Sequence, residues 1–330
     1  MNHQNLPRCN LGFFPTPLVA LPRFSNFLGG PHLFIKRDDQ TGLALGGNKT
    51  RKLEFLMAEA LAMGCDAIVT GGAAQSNHCR QTAAAAAALG LRCHLVLGGE
   101  PPATANGNVL LDLLLGATLH WSGEHRKGEQ IPQIVAELRA QGATPYVIPY
   151  GGSNAIGALG FVEAMVEVKQ QLATAQLALD HIVFASSSGG THAGLMVGKD
   201  LTNIGAQLIG MEIDKEETGE IAFAQQIAQI ANDTARTLAM PARYVDAHVL
   251  LKRDYVGGGY GVVGDGEREA ILLMARQEGI LLDPVYTGRA VGGLLDMIRN
   301  REFGAKENIL FWHTGGTPAL FPYAPELTQY

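Results

Sequence analysis

The run Ala67-Ile68-Val69-Thr70, followed by Gly71-Gly72-Ala73-Ala74 and then by an alanine-rich stretch over 77–89, decides the fold. A short β-branched run that stays apolar at consecutive positions suits a strand covered on both faces. The glycines end it, and the alanines that follow favour helix. The same alternation continues outward. Residues 93–97 (CHLVL) read as a strand, 108–115 as a helix, 117–120 as a strand, 131–140 as a helix and 146–148 as a strand. Such alternation predicts a parallel sheet with helices on both faces.

After a long helix over 155–172 the pattern restarts. Residues 181–185 (HIVFA) form a strand, 186–190 a loop, 191–199 the opening of a helix, 207–213 a strand and 308–312 (NILFW) the last strand. No internal repeat or low-complexity linker interrupts the chain, and Gly151-Gly152-Ser153-Asn154 is its clearest punctuation. The expectation is an α/β protein of two units with a crevice between them.

The chain has 330 residues, of which 47% are hydrophobic and 17% charged, enough for a sizeable core and unlike a disordered composition. The net charge is −6 and no block of Lys or Arg occurs, which argues against a nucleic-acid surface while leaving room for one phosphate pocket. The N-terminal MNHQNLPRCN lacks the apolar stretch of a secretory signal. No segment reaches the roughly 20 apolar residues of a membrane helix. Cys9, Cys65, Cys79 and Cys93 have no CxxC spacing and read as reduced thiols of a cytoplasmic protein. His78 beside Cys79 has no second ligand pair, so no metal site is expected.

Two nucleotide motifs fail on inspection. In Gly42 to Thr50 (GLALGGNKT) Asn48 stands between the glycine and the lysine and breaks the register of a phosphate-cradling P-loop. Gly259 to Gly264 matches GxGxxG but follows Lys252-Arg253-Asp254-Tyr255 rather than a clean strand. Ser186-Ser187-Ser188-Gly189-Gly190-Thr191 carries more information. It joins a strand to a helix start, where backbone N–H groups and the helix dipole favour a dianion. The plainer reading is a turn with Thr191 as N-cap. Gly46-Gly47-Asn48-Lys49 leads into an amphipathic helix and suits an amine held in a crevice as a nucleophile. Gln75-Ser76-Asn77 follows a strand end, where open α/β sheets bind ligands, although capping alone also accounts for it.

Taken together these segments resemble the fold type II, tryptophan-synthase-β-like pyridoxal 5′-phosphate enzymes. The nearest branch contains D-cysteine desulfhydrase, L-cysteate sulfo-lyase and 1-aminocyclopropane-1-carboxylate deaminase. The resemblance runs through Pro15-Thr16-Pro17-Leu18, Ile35-Lys36-Arg37-Asp38-Asp39, GGNKTRKLEFL from Gly46, QSNHCRQTAA from Gln75, Pro149 to Leu159, SGGTHAG from Ser188, Asp283-Pro284-Val285-Tyr286-Thr287-Gly288 and His313-Thr314-Gly315-Gly316.

The resemblance implies two open parallel-sheet domains, a larger cofactor-binding one from 1–50 and 161–330 and a smaller one inserted at 51–160. It implies that Lys49 carries the cofactor and that Ser188, Gly189, Gly190 and Thr191 hold its phosphate. Ser76 and Asn77 would face the substrate carboxylate or the cofactor ring, Asn77 beside the 3-hydroxyl. Tyr260 and Tyr286 would line the reacting face. It also implies a homodimer acting on a small amino acid, with no membrane partner.

Where the branch's deaminases have Glu and Leu near the cofactor ring, this chain has Thr287 and Thr314. A hydroxyl holds a proton on the pyridine nitrogen less well than a carboxylate does, which weakens the electron sink. That favours β-elimination over opening of a cyclopropane ring. The expected reaction is conversion of D-cysteine to pyruvate, sulfide and ammonium. The alternatives are L-cysteate sulfo-lyase, 1-aminocyclopropane-1-carboxylate deaminase, and a non-catalytic pyridoxal phosphate or amino-acid binding protein. D-Cysteine is preferred because the matched motifs offer no extra Arg or Lys for a sulfonate.

Overall fold

A computed structural model describes residues 6–214 and 221–328. Its strands are β1 (Leu18–Ala20), β2 (His32–Arg37), β3 (Ala67–Ala73), β4 (Arg92–Gly98), β5 (Thr118–Trp121), β6 (Pro145–Val147), β7 (His181–Ser186), β8 (Gln207–Glu212), β9 (Leu251–Lys252) and β10 (Asn308–His313). The helices are α1 (Pro22–Leu28), α2 (Lys49–Ala62), α3 (Asn77–Ala88), α4 (Gly107–Leu114), α5 (Ile131–Ala140), α6 (Ala155–Ala175), α7 (Gly190–Thr202), α8 (Phe223–Thr237), α9 (Asp265–Glu278), α10 (Thr287–Arg299) and α11 (Ala324–Leu327).

The strands form two sheets, ordered β1-β2-β10-β7-β8-β9 and β5-β4-β3-β6. Pairing is parallel throughout except between β1 and β2. The larger sheet therefore takes strands from both ends of the chain, and the smaller one lies between them in sequence. The boundaries expected at 50/51 and 160/161 fall inside α2 and α6.

Strand alternation explains the continuous apolar runs. On β7, Ile182 and Phe184 join the core under α6, α7 and α8, whereas Val183 and Ala185 join the core under α1, α9 and α10. On the smaller sheet Ile68 and Leu95 pack towards α2 and α3, and Val69 and Val96 towards α5. Both faces of these inner strands are covered, so little polar alternation survives in their sequence.

Helix α2 departs from the amphipathic expectation, because its first turns are buried on nearly all sides. The cause is a buried charge cluster. Arg51 pairs with Asp38 at 2.8 Å and with Glu167 at 3.0 Å. Trp312 Nε1 donates to Asp38 at 2.7 Å, and Lys36 pairs with Glu167. Removing one member of such a pair costs about 3–5 kcal/mol. The cluster thus ties the start of α2 to β2, β10 and α6.

Candidate active site

Lys49 is the first residue of α2, and glycines determine where its chain enters. Gly46 and Gly47 have φ of 70° and 129°, a region that side-chain-bearing residues rarely adopt. A Cβ on Gly46 would lie 2.0 Å from the Asp39 carbonyl oxygen, and one on Gly315 would lie 2.7 Å from Gly47 Cα. The glycines after β10 and those before α2 therefore exist to let two backbones touch. Asn48 N donates to the Thr314 carbonyl at 3.0 Å, and Gly47 N donates to Thr41 Oγ1 at 2.8 Å. Buried Arg80 donates to the Ala44 and Gly46 carbonyls.

Lys49 Nζ donates to Asn48 Oδ1 at 3.2 Å. It lies in a cavity lined by residues from four strand ends and helix starts, among them Ser76, Asn77, Ser188, Gly189, Thr191, Tyr286 and Thr314. Burial pushes the amine down to about 8, against the opposing pull of the Asp283 carboxylate. Sequence reading gave Asp283 no role. Its carboxylate accepts from the backbone N–H groups of Val285, Tyr286 and Thr287 at 3.1, 3.0 and 2.7 Å, and so caps the start of α10. The signal was an Asp ahead of a helix, in a motif read only for its tyrosine and threonine.

At the end of β7 the chain turns through Gly189, with φ of 86°, and α7 begins at Gly190. The N-cap is Gly189, not Thr191. Thr191 Oγ1 instead accepts from Asn48 Nδ2 at 3.2 Å and lines the cavity. A Cβ on Gly190 would lie 2.7 Å from Ser153 Oγ and 2.9 Å from Lys52 Nζ. The Gly190 N–H donates to Ser153 Oγ at 3.1 Å, and Ser153 Oγ donates to Ser188 Oγ at 2.8 Å. Lys52, one helical turn beyond Lys49, donates to the Gly151 carbonyl at 3.0 Å and to Ser153 Oγ at 3.2 Å. Those partners are neutral, and burial together with Lys49 holds the amine well below its ordinary range. An anion at this helix start would reverse that penalty. The cradle therefore fits a phosphate.

Ser76 caps α3, its Oγ accepting from Cys79 N at 3.2 Å, and also lines the cavity. Capping and site placement are combined in one residue. Asn77 Oδ1 accepts from Asn108 Nδ2 at 2.9 Å, which leaves its own Nδ2 as the donor. His78 lines the same wall. Thr70 donates to the Ile148 carbonyl at 2.8 Å, so it accepts from His78 Nε2 at 2.9 Å. Nδ1 is then the bare nitrogen, buried without a partner. Burial and the two lysines keep the ring neutral.

The tyrosines stand opposite. Tyr286 lines the cavity, and its Oη lies 2.5 Å from Tyr260 Oη, with the rings edge to face at 5.9 Å. Tyr260 is thus one side chain removed from the cavity wall. Tyr150, unmarked in the sequence reading, also lines it. The expected threonines separate. Thr314 faces the cavity, whereas Thr287 is fully buried, its Oγ1 donating to Asp283 Oδ1 and accepting from Asp283 N, both at 2.7 Å. The Asp283 carboxylate draws Thr287 away from the cavity. Among the described residues no helix is long and apolar enough to cross a membrane, and no group of three or more His, Cys, Asp or Glu is placed to hold a metal ion.

The family model described as "Pyridoxal-phosphate dependent enzyme" matches residues 10–315. The chain is similar to a crystal structure described as an ACC deaminase homologue, with 38% identity, 98% of this chain and 96% of that one covered, and a TM-score of 0.88. It also shares its fold with a lysine-to-alanine mutant of O-ureido-L-serine synthase bound to O-ureido-L-serine, at 20% identity, TM-score 0.67, and coverage of 97% and 93%. A cavity holding a half-buried lysine, a helix start whose residues fit a phosphate and a match along nearly the whole length lead to one conclusion: the chain belongs to the pyridoxal-phosphate dependent enzymes of fold type II.

Proposed function

We propose that this enzyme is a lyase that eliminates the β-substituent of a small amino acid, with D-cysteine as its preferred substrate and L-cysteate as the alternative. One observation carries the reading: among the described residues no carboxylate lines the cavity, and Thr314 stands at the position where the branch's deaminases resemble one another in having Leu. With no acid to hold a proton on the pyridine nitrogen, a fully developed Cα carbanion is poorly stabilised. Substrates that expel a good leaving group depend on it least. Since Thr287 is held by Asp283, the case rests on Thr314 and on the missing carboxylate.

When bound, the cofactor supplies the electron sink for the carbanion at Cα. Lys49 would carry it, and Ser188, Gly189, Gly190 and Thr191 would hold its phosphate above Lys52. Asn77 Nδ2 would donate to the 3-hydroxyl, and Ser76 would meet the substrate carboxylate. The Lys49 amine in its neutral form, which burial makes easier to reach, or a tyrosinate of the Tyr260–Tyr286 pair would remove the Cα proton. The Cβ–S bond of D-cysteine then breaks, sulfide leaves, and one water converts the remainder to pyruvate and ammonium. Pyruvate release from D-cysteine, L-cysteate and L-cysteine tests the reading. Binding of these amino acids without pyruvate from any of them would sink it.

Two expectations follow from the same residues. Thr191→Ala removes a hydroxyl at the phosphate cradle and strands Asn48 Nδ2, so cofactor retention should weaken by about 1.5–3 kcal/mol in equilibrium dialysis. Retention equal to wild type would remove Thr191 from the cradle. The second concerns pH. Only the neutral amine attacks an aldehyde, and Lys49 loses its proton at about 8. Cofactor uptake by the cofactor-free protein should therefore rise with pH up to about 8 and level off above it. An ordinary lysine would continue rising towards about 10.4.

We further propose a cytoplasmic homodimer. The four cysteines are free thiols, which fits a reducing compartment. Leu110, Leu113 and Leu114 expose apolar surface along α4, which supports association between copies. Sedimentation at working concentration checks the assembly.

A further inference from the structure

One side chain outside every quoted motif reaches the tyrosines from the other sheet's side of the cleft. Arg126 lies in the loop between β5 and α5. Its guanidinium carbon sits 4.6 Å from the centroid of the Tyr260 ring, and Nη2 donates to Asp214, two residues beyond β8, at 2.8 Å. The root of this loop is built into the smaller sheet. A Cβ on Gly98 would lie 2.8 Å from Arg126 Cα and 3.1 Å from the His125 carbonyl oxygen, and one on Gly71 would lie 2.7 Å from Gly128 Cα. Ser122 Oγ bonds the carbonyls of Leu97 and His125. Glycines in β3 and at the end of β4 thus stand where the loop presses on the sheet, and the loop delivers a cation across the cleft.

We propose that Arg126 is a positioning residue for the reaction: anchored on Asp214, it holds Tyr260, and through it Tyr286, against the mouth of the cavity. The proposal rests on the reading that these tyrosines serve the reacting face. Tyr260 needs an external support, because its own segment turns through Gly257, Gly259 and Gly261 at φ of 59°, 116° and 74°. The supports are the Tyr286 hydroxyl on one side and the Arg126 guanidinium on the ring face. A guanidinium over the π face attracts the ring and attracts it more when the phenol oxygen carries charge. Other groups push the opposite way. Burial and Tyr150 hold both phenols well above their ordinary range; Tyr286 and Tyr323 raise Tyr260 further, whereas on Tyr286 the upward push of Asp283 and Cys79 is opposed by the hydrogen bond with Tyr260. Arg126 and Asp214 both face Tyr150, and Arg289 faces Tyr323.

The test compares Arg126→Met, which keeps the stem and deletes the charge, with Arg126→Lys, which keeps the charge. The first readout is the pH profile of kcat/KM for pyruvate release. The second is the ultraviolet titration of tyrosinate, with Tyr260→Phe identifying the transition. Arg126→Met should lower kcat/KM about tenfold, the effect of losing one partly buried cation–π contact. Its tyrosine limb and the Tyr260 transition should both move to higher pH, and Arg126→Lys should restore most of each. If Arg126→Met does not fold, Asp214→Asn removes the anchor alone and should shift the transition the same way. An unmoved transition in a folded variant, or a loss that Lys leaves unrestored, overturns the proposal. If no amino acid yields pyruvate, the titration still decides Arg126, and it is the elimination reading that has failed.

Discussion

Lys49→Ala should abolish covalent cofactor attachment and lower turnover by about 10⁴-fold, the upper range for removing a proton-transfer group. The loss is expected to be chemical rather than structural. Among the described residues the Lys49 side chain hydrogen-bonds to its neighbour Asn48 Oδ1 alone, and burial already opposes its charge. Helix α2 is held by Arg51, Asp38 and Glu167 whatever stands at 49. Ala at the first helical position keeps good propensity, so the variant should melt no earlier than wild type. Borohydride treatment followed by peptide mapping checks attachment directly. A reduced pyridoxyl group should be found on Lys49 in wild type and nowhere in the variant. A label on Lys52 or Lys36 would sink the assignment. The structure gives each of those amines another task, at Gly151 and Ser153 for one and at Glu167 for the other.

Tyr286→Phe should cost about 10²–10⁴ in kcat while the ring, and with it the cofactor's absorbance, stays in place. The hydroxyl is the part that matters, because it lies 2.5 Å from Tyr260 Oη and the pair can pass a proton between its members. Tyr260→Phe should give a comparable loss, and the double variant should be little worse than either single one, as expected of residues acting as a unit. A loss of less than about threefold in both single variants would remove the pair from the acid–base chemistry.

Much of this was legible in the sequence for a physical reason. Strands covered on both faces leave unbroken apolar runs, so β3, β4, β7, β8 and β10 stood out. Turns that need glycine leave glycine, so the entrance to Lys49 and the start of α7 were marked. Other features depend on residues far apart in the chain. Strand β9 has two residues and only finds its place beside β8. The alignment of β2 with β10 brings positions 32 and 308 together. Lys52 had no role in the sequence reading, because its partners Gly151 and Ser153 lie about a hundred residues away in the chain. Arg126 sits in no motif, and its meaning comes from Tyr260 and Asp214 across the cleft. Thr287 was expected near the cofactor ring from its neighbours in sequence, but its hydroxyl answers to Asp283, a partner whose capping role was not read.

The most direct test of the central claim is the product ratio from one purified preparation given D-cysteine, L-cysteate and 1-aminocyclopropane-1-carboxylate separately. A cavity with Thr314 in its wall and no carboxylate among its described lining residues should release pyruvate from at least one of the first two and little or no 2-oxobutyrate from the third. Faster formation of 2-oxobutyrate than of pyruvate from every β-substituted alanine would contradict the account.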